Sequence, residues 1–156
     1  MEQRIDAYAK RPGTLKAMYA LEHYLQSSAI EEQLLHLVKM RVSQINGCAY
    51  CLDMHSKDLR FGGETEQRLY LLDAWREAPF YTPRERAALE WAEAVTLVSK
   101  THVPDEVYEI ARKEFSEEEL VDLTLAIVAI NGWNRFSVAF RTPAGTYEPG
   151  QHSTAA

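Results

Sequence analysis

The sequence predicts a single all-α domain, and three observations support this prediction. Apolar residues recur at helical spacing, as they do at Ile30, Leu34 and Leu37. Helix start and stop signals divide the chain into segments of helical length. The sequence lacks the period-two alternation of a half-buried strand, and only residues 136–140 leave an extended segment open. A chain of 156 residues can bury one core without disulfide support.

Three helices are predicted between residues 29 and 76, and each is followed by a helix-stopping pair. The predicted spans are about 29–45, 48–61 and 65–76. The stopping pairs are Asn46-Gly47, Gly62-Gly63 and Ala78-Pro79.

The clearest helix start in the sequence lies at Thr82. This threonine is a suitable N-cap, Pro83 occupies the first helical position, and Glu85 completes a capping box. The helix is predicted to continue to Ser99, and a shorter helix is predicted over residues 105–115.

A second capping box, from Ser116 to Glu119, opens the last predicted helix, which covers residues 120–140. This helix is apolar nearly all round over residues 123–130. It is therefore predicted to lie at the centre of the bundle or in a subunit interface.

Composition and charge exclude several classes of function. The formal net charge is −6 and no basic cluster is present, which argues against a nucleic-acid or anionic-membrane partner. Residues 1–12 contain no apolar stretch, so no signal peptide is predicted. The longest apolar run, residues 123–130, is too short to cross a bilayer. The expected location is the cytoplasm, where thiols are kept reduced.

The two cysteines of the chain, Cys48 and Cys51, are only three positions apart. A structural disulfide normally ties distant segments together, so this pair indicates redox or metal chemistry. In a helix that begins near Gly47, Cys48 lies in the first turn, where the helix dipole favours the thiolate. Cys51 and His55 then share its helical face, and His55 is close enough to manage the proton of Cys51. These arguments leave open which cysteine attacks a substrate.

Two thiols at this spacing are suited to peroxide reduction. A thiolate attacks the peroxide and becomes a sulfenic acid, and the second cysteine condenses with it to a disulfide and releases water. An external thiol or dithiol protein then restores the pair. Histidine suits the proton relay because its ordinary pKa lies near neutrality.

Residues 41–55, RVSQINGCAYCLDMH, resemble the signature of the AhpD-like alkylhydroperoxidases within the carboxymuconolactone decarboxylase family. Two further segments, ETEQRL at 64–69 and NGWNR at 131–135, are similar to the same group. The resemblance covers about residues 15–142. We therefore assign residues 1–142 to one AhpD-like helical domain and expect residues 143–156 to form a frayed tail.

The resemblance implies an all-α homo-oligomer (a dimer, trimer or hexamer) that reduces organic hydroperoxides without a metal or other cofactor. It also implies that Cys51 is the peroxidatic cysteine, Cys48 the resolving cysteine and His55 a member of the proton relay. Members of the family usually place a relay glutamate twelve residues before the first cysteine, and that position is His36 here. Better-studied members carry a histidine between the cysteines, where this chain has Tyr50.

Three other functions remain open from the sequence. A general thiol–disulfide oxidoreductase would use the same residues on a protein substrate. A zinc-stabilised interaction domain or redox sensor would bind its ion through His36, Cys48, Cys51 and His55. A lyase of the decarboxylase type is the third alternative, although that branch is not expected to need the cysteine pair.

Overall fold

Helices account for all the regular secondary structure of the computed structural model, which describes residues 2–150. Within that range the chain forms nine α-helices, one 3-10 helix at Leu72–Ala74, and no strand. The α-helices are α1 (Ala7–Lys10), α2 (Pro12–Leu25), α3 (Glu32–Asn46), α4 (Ala49–Phe61), α5 (Glu66–Tyr70), α6 (Pro83–Thr96), α7 (Val98–Thr101), α8 (Asp105–Glu114) and α9 (Glu117–Phe140). The prediction of an all-α domain is confirmed.

Helix α3 lies at the centre of the bundle and contacts α4, α6 and α9. Apolar side chains with no exposed surface fill the space between α3, α6 and α9, among them Val38, Ala88 and Ile127. A second apolar cluster, which includes Leu37 and Leu59, joins α3, α4 and α6. Each such burial of a large aliphatic side chain stabilises the fold by roughly 1.5–3 kcal/mol.

The connection between α3 and α4 depends on a glycine in the left-handed region. Gly47 has φ +65°, a conformation that a residue with a Cβ rarely adopts. Because the chain reverses within this turn, α4 begins at Ala49 with Cys48 as its N-cap. The predicted capping boxes at Thr82–Glu85 and Ser116–Glu119 are also present.

A hydrogen-bonded side-chain network fixes the end of α3 against α9. Asn134 is 1% exposed, its Oδ1 accepts from Asn46 Nδ2 at 2.8 Å, and its Nδ2 donates to Ser43 Oγ at 3.1 Å. Such a buried network costs free energy when any member is left without a partner, so it specifies one packing of the two helices. The cysteine segment starts two residues after this anchor.

Helix α9 has one buried face and one exposed face. Leu123, Ile127 and Ile130 lie in the core, whereas Val121 and Val128 are 68% and 52% exposed. By length and mean hydropathy α9 also meets the criteria for a membrane span, a test that the core helix of a soluble protein passes equally well. Residues 136–140, left open as an extended segment, are helical.

Two predicted helices are shorter than expected. The helix predicted over residues 65–76 breaks into α5 and the 3-10 helix, because Leu69, Leu72 and Trp75 are all buried at a spacing of three, which suits 3-10 geometry. The helix predicted to reach Ser99 is interrupted after α6. There the Thr101 hydroxyl donates to the carbonyl oxygen of Ala94 at 2.7 Å.

Helices α1 and α2 lie in a stretch for which no helix was predicted. Their apolar pattern is weak, since Leu15 and Leu25 are the buried residues of α2 and α1 has none. Packing against α9, rather than an amphipathic pattern, accounts for the position of α2.

The C-terminal segment that was expected to fray contacts α4 within residues 143–150, and residues 151–156 lie outside the described range. Tyr147 is 4% exposed and its hydroxyl donates to Asp58 Oδ1 at 2.7 Å. Lys57 Nζ donates to the Tyr147 carbonyl at 2.8 Å. These contacts hold the segment across α4, because one buried aromatic ring and several hydrogen bonds offset the entropy of ordering it.

Glu93 on α6 accepts three hydrogen bonds from groups that come together on folding. Its oxygens accept from Arg41 Nε at 2.8 Å, Trp75 Nε1 at 2.8 Å and Arg76 Nη1 at 2.6 Å. Burial raises the pKa of the Glu93 carboxyl, but the donors from Trp75, Arg76 and Arg41 outweigh it and hold the pKa below 4.5. The carboxylate therefore stabilises the fold above pH 4.5, and this contribution disappears as the pH falls through the lowered pKa.

We expect Glu93→Gln to lower the free energy of unfolding by about 2 kcal/mol at neutral pH, since Arg41 and Arg76 lose a charged acceptor. The deficit should shrink below the lowered pKa, where the native carboxyl is itself protonated. Urea unfolding across this pH range measures both effects, with Glu109→Gln on exposed α8 as control. An equal deficit at acid and neutral pH would contradict the assignment.

Candidate active site

A disulfide bond joins Cys48 and Cys51 at the start of α4, with their Cα atoms 5.4 Å apart. Cys48 is the N-cap, one residue earlier than the predicted first turn, and its Sγ accepts from the Cys51 N–H at 3.3 Å. Both cysteines are 1% exposed and belong to the main apolar cluster. In the reduced protein the positive end of α4 would favour a thiolate at this position, whereas burial among apolar side chains would oppose it.

A cavity of about 850 Å³ opens beside this pair, and its walls come from α2, α3, α4, α9 and both ends of the described chain. Cys51 and His55 line it, while Cys48 is absent from its walls. Tyr8, Tyr19 and Trp133 contribute aromatic wall surface. Such a space is large enough for an organic molecule and presents it to Cys51 rather than to Cys48.

His55 lies one helical turn beyond Cys51 and is 3% exposed. Its Nδ1 lies 3.4 Å from Nδ1 of His36, a residue of α3 that lines the same cavity. The structure thus brings all four candidate residues to one place: the two cysteines in covalent contact and the two histidines in direct contact. The family's relay position is occupied here by a second imidazole.

The environment of His36 favours its neutral form. Burial lowers the pKa of His36 from its ordinary value of 6.5, and the nearby Lys39 ammonium lowers it further. The carboxylates of Asp58, Glu32 and Glu22 oppose this effect only in part. A neutral imidazole can both donate and accept a proton, so His36 can take part in a relay near neutral pH.

A buried ion pair, unrecognised in the sequence, lies beside the histidines. Lys39 Nζ donates to Glu22 Oε2 at 2.5 Å, and Trp133 Nε1 donates to Glu22 Oε1 at 3.0 Å. Lys39 is three residues after His36 on α3, so helical spacing could have placed it on the same face. Glu22 carried no such signal, because α2 itself was not predicted.

Asp58 and Tyr147 are the other polar residues of the site that sequence reasoning missed. Asp58 is three residues after His55, again a helical spacing that could have revealed it. Tyr147 comes from the segment expected to fray, where no sequence pattern indicated burial. In the described part of the chain, His36, His55 and Asp58 form the group of His, Cys, Asp and Glu side chains close enough to share a metal ion.

The zinc set considered from the sequence, His36, Cys48, Cys51 and His55, is not available in this form of the protein. A cysteine binds zinc as a thiolate, whereas the sulfur atoms of Cys48 and Cys51 are bonded to each other.

Comparison with known proteins identifies the family. Residues 12–94 match the model of the carboxymuconolactone decarboxylase family. The uncharacterised protein YdfG of Bacillus subtilis is 48% identical over 146 residues, which cover 94% of this chain and 99% of YdfG. The crystal structure of ATU0492 from Agrobacterium tumefaciens, a protein of unknown function assigned provisionally to antioxidant defence as AhpD, superposes with a TM-score of 0.90 at 47% identity. That match covers 94% of this chain and all of ATU0492.

The same fold also occurs in a protein with a different named activity. The debrominase Bmp8 matches with a TM-score of 0.75 at 22% identity, over 88% of this chain and 74% of Bmp8, a similarity that extends to the fold alone. The family match, the similarity to YdfG and ATU0492 and the helical architecture agree, and this chain belongs to the carboxymuconolactone decarboxylase family, in its AhpD-like group.

Proposed function

We propose that this protein is a thiol peroxidase that reduces organic hydroperoxides by cycling Cys48 and Cys51 between dithiol and disulfide. One observation carries the proposal: Cys51 lines a large cavity and is bonded to Cys48, with His55 one turn beyond Cys51 and His36 in contact with His55. A peroxidase needs each of these features. They are a thiol near a helix N-terminus, a second thiol within bonding distance, a proton carrier and a space for the organic group.

In the proposed cycle, Cys51 attacks the terminal oxygen of the hydroperoxide as a thiolate. The O–O bond breaks, the alcohol leaves with a proton from the His55–His36 pair, and Cys51 becomes a sulfenic acid. The Cys48 thiol then attacks the Cys51 sulfur, which releases water and forms the disulfide. An external thiol or dithiol protein supplies the two electrons and protons that restore both thiols.

The cavity supports Cys51 as the peroxidatic residue. Cys51 lines the space that a substrate would occupy, whereas Cys48 does not. As the N-cap of α4, Cys48 is held next to Cys51 by the Cys51 N–H contact to its sulfur. A resolving thiol needs this proximity more than it needs access to substrate.

The cavity also suits a small-molecule substrate. Both cysteines are 1% exposed in the disulfide form, so the cavity is the route by which a substrate would reach Cys51. A hydroperoxide with an apolar group could enter through the cavity, whose wall carries the rings of Tyr8, Tyr19 and Tyr50.

We also propose a homo-oligomer that works in the cytoplasm. The exposed apolar face of α9, with Val121 and Val128, would gain stability if a second copy covered it. A reducing compartment is needed because the cycle stops at the disulfide unless a thiol donor restores the pair.

We expect Cys51→Ser to remove hydroperoxide turnover, because serine cannot form the thiolate that attacks the peroxide. Consumption of an organic hydroperoxide with dithiothreitol as reductant measures this. Ser56→Ala, a change on α4 that removes a hydroxyl donating to the carbonyl oxygen of Asp53, is the matched control. If the Cys51→Ser protein consumed the hydroperoxide at the wild-type rate, the thiol mechanism would be wrong.

Cys48→Ser should keep the first step and lose the second. One equivalent of hydroperoxide is expected to leave a single sulfenic acid on Cys51, and excess to oxidise it further to the sulfinic and sulfonic acids. Mass spectrometry of the intact protein follows these oxygen additions. Exclusive oxidation at position 48 in the Cys51→Ser protein would instead reverse the roles of the two cysteines.

His36→Gln should slow disulfide formation on the order of 10- to 100-fold, since it removes a proton carrier in contact with His55. His36→Glu restores the residue type usual in the family and should retain most of the rate. Single-turnover stopped-flow measurements compare them, with the exposed change His23→Gln as control. Equal rates for the wild type and His36→Gln would remove His36 from the relay.

A further inference from the structure

We propose that His36, His55 and Asp58 form a binding site for one Zn²⁺ ion, distinct from the cysteine pair. The three side chains come from α3 and α4 and line the same cavity. One potential ligand atom from each lies within 4.8 Å of the others. Two imidazoles and a carboxylate are a donor set that zinc accepts readily, with a fourth position open to water from the cavity.

The spacing of the two imidazoles matches a shared ion better than it matches a hydrogen bond. The Nδ1 atoms of His36 and His55 lie 3.4 Å apart. Two nitrogens bound to one tetrahedral zinc at 2.0–2.1 Å lie about 3.4 Å from each other. A direct N–H···N bond is more often about 3.0 Å long. The pair is therefore already spaced as ligands of a common ion.

Two neighbouring side chains, Glu32 and Tyr147, act on the proposed ligands His36 and Asp58. The second ring nitrogen of His36, Nε2, lies 3.8 Å from the Glu32 carboxylate, too far for a hydrogen bond but near enough for electrostatic attraction. Asp58 Oδ1 accepts from the Tyr147 hydroxyl at 2.7 Å, which orients the carboxylate.

The charges near the site also favour a cation. The carboxylates of Asp58, Glu32 and Glu22 surround His36, against one ammonium, that of Lys39. Lys39 is in turn held at 2.5 Å from Glu22, so its charge is largely matched. The remaining negative charge of Asp58 and Glu32 attracts a divalent ion into the cavity.

The binding test uses the disulfide form of the full-length protein, because its sulfurs cannot bind zinc and it cannot turn over. Its outcome is therefore independent of the peroxidase proposal. Isothermal titration with zinc chloride at neutral pH should give one ion per chain, and zinc should raise the midpoint of thermal unfolding. X-ray absorption of the loaded protein should show nitrogen and oxygen neighbours and no sulfur.

Two substitutions locate the ion, and one controls for surface binding. His36→Gln and Asp58→Asn should each weaken zinc binding about 10- to 100-fold, and circular dichroism verifies that both variants fold. His23→Gln, on the exposed side of α2, should bind as the wild type does. The proposal is overturned if the oxidised protein binds no zinc, if both variants bind as tightly as the wild type, or if absorption shows sulfur ligands.

Discussion

The junction between α3 and α4 is the constraint on which the candidate site depends. Gly47 takes a left-handed conformation, so α4 starts almost immediately after α3 ends and the two helices pack side by side. Residues one or two turns into α4 then face residues several turns back in α3. The contact between His55 and His36, nineteen positions apart, is a direct consequence. A longer connection would not impose this register.

Hydrogen bonds from α9 hold the α3–α4 junction in position. Asn134 on α9 bonds both Asn46 and Ser43, so the last turn of α3 cannot shift without leaving buried amide groups without partners. The cysteines follow at once and enter the apolar core, where their environment excludes water. The left-handed turn at Gly47 and the polar network around Asn134 together place Cys51 at the cavity wall, with Cys48 bonded to it.

Sequence patterns predicted what depends on local chemistry. The capping boxes at Thr82 and Ser116, the turn at Gly47 and the helical face from Cys51 to His55 all rest on interactions within a few residues, which spacing reveals. Tertiary contacts decided which residues outside these patterns are buried at the site, and the sequence did not reveal them. Glu22 meets Lys39 only because α2 packs beside α3 and α9, and no pattern within α2 indicates a buried carboxylate. Tyr147 is buried because α4 offers Asp58 and Lys57 as partners.

The histidine at position 36 changes the electrostatics of the site relative to the usual family glutamate. A glutamate would add a third negative charge beside Asp58 and Glu32. The neutral His36, with its pKa lowered by burial and by Lys39, adds no charge and leaves a nitrogen lone pair available. The same neutrality would suit both proposed roles: a proton would pass between the imidazoles in either direction in the relay, and both rings would turn a lone pair toward one cation in the zinc site. A site with a carboxylate at position 36 could exchange protons as well, but it would not present paired imidazole donors.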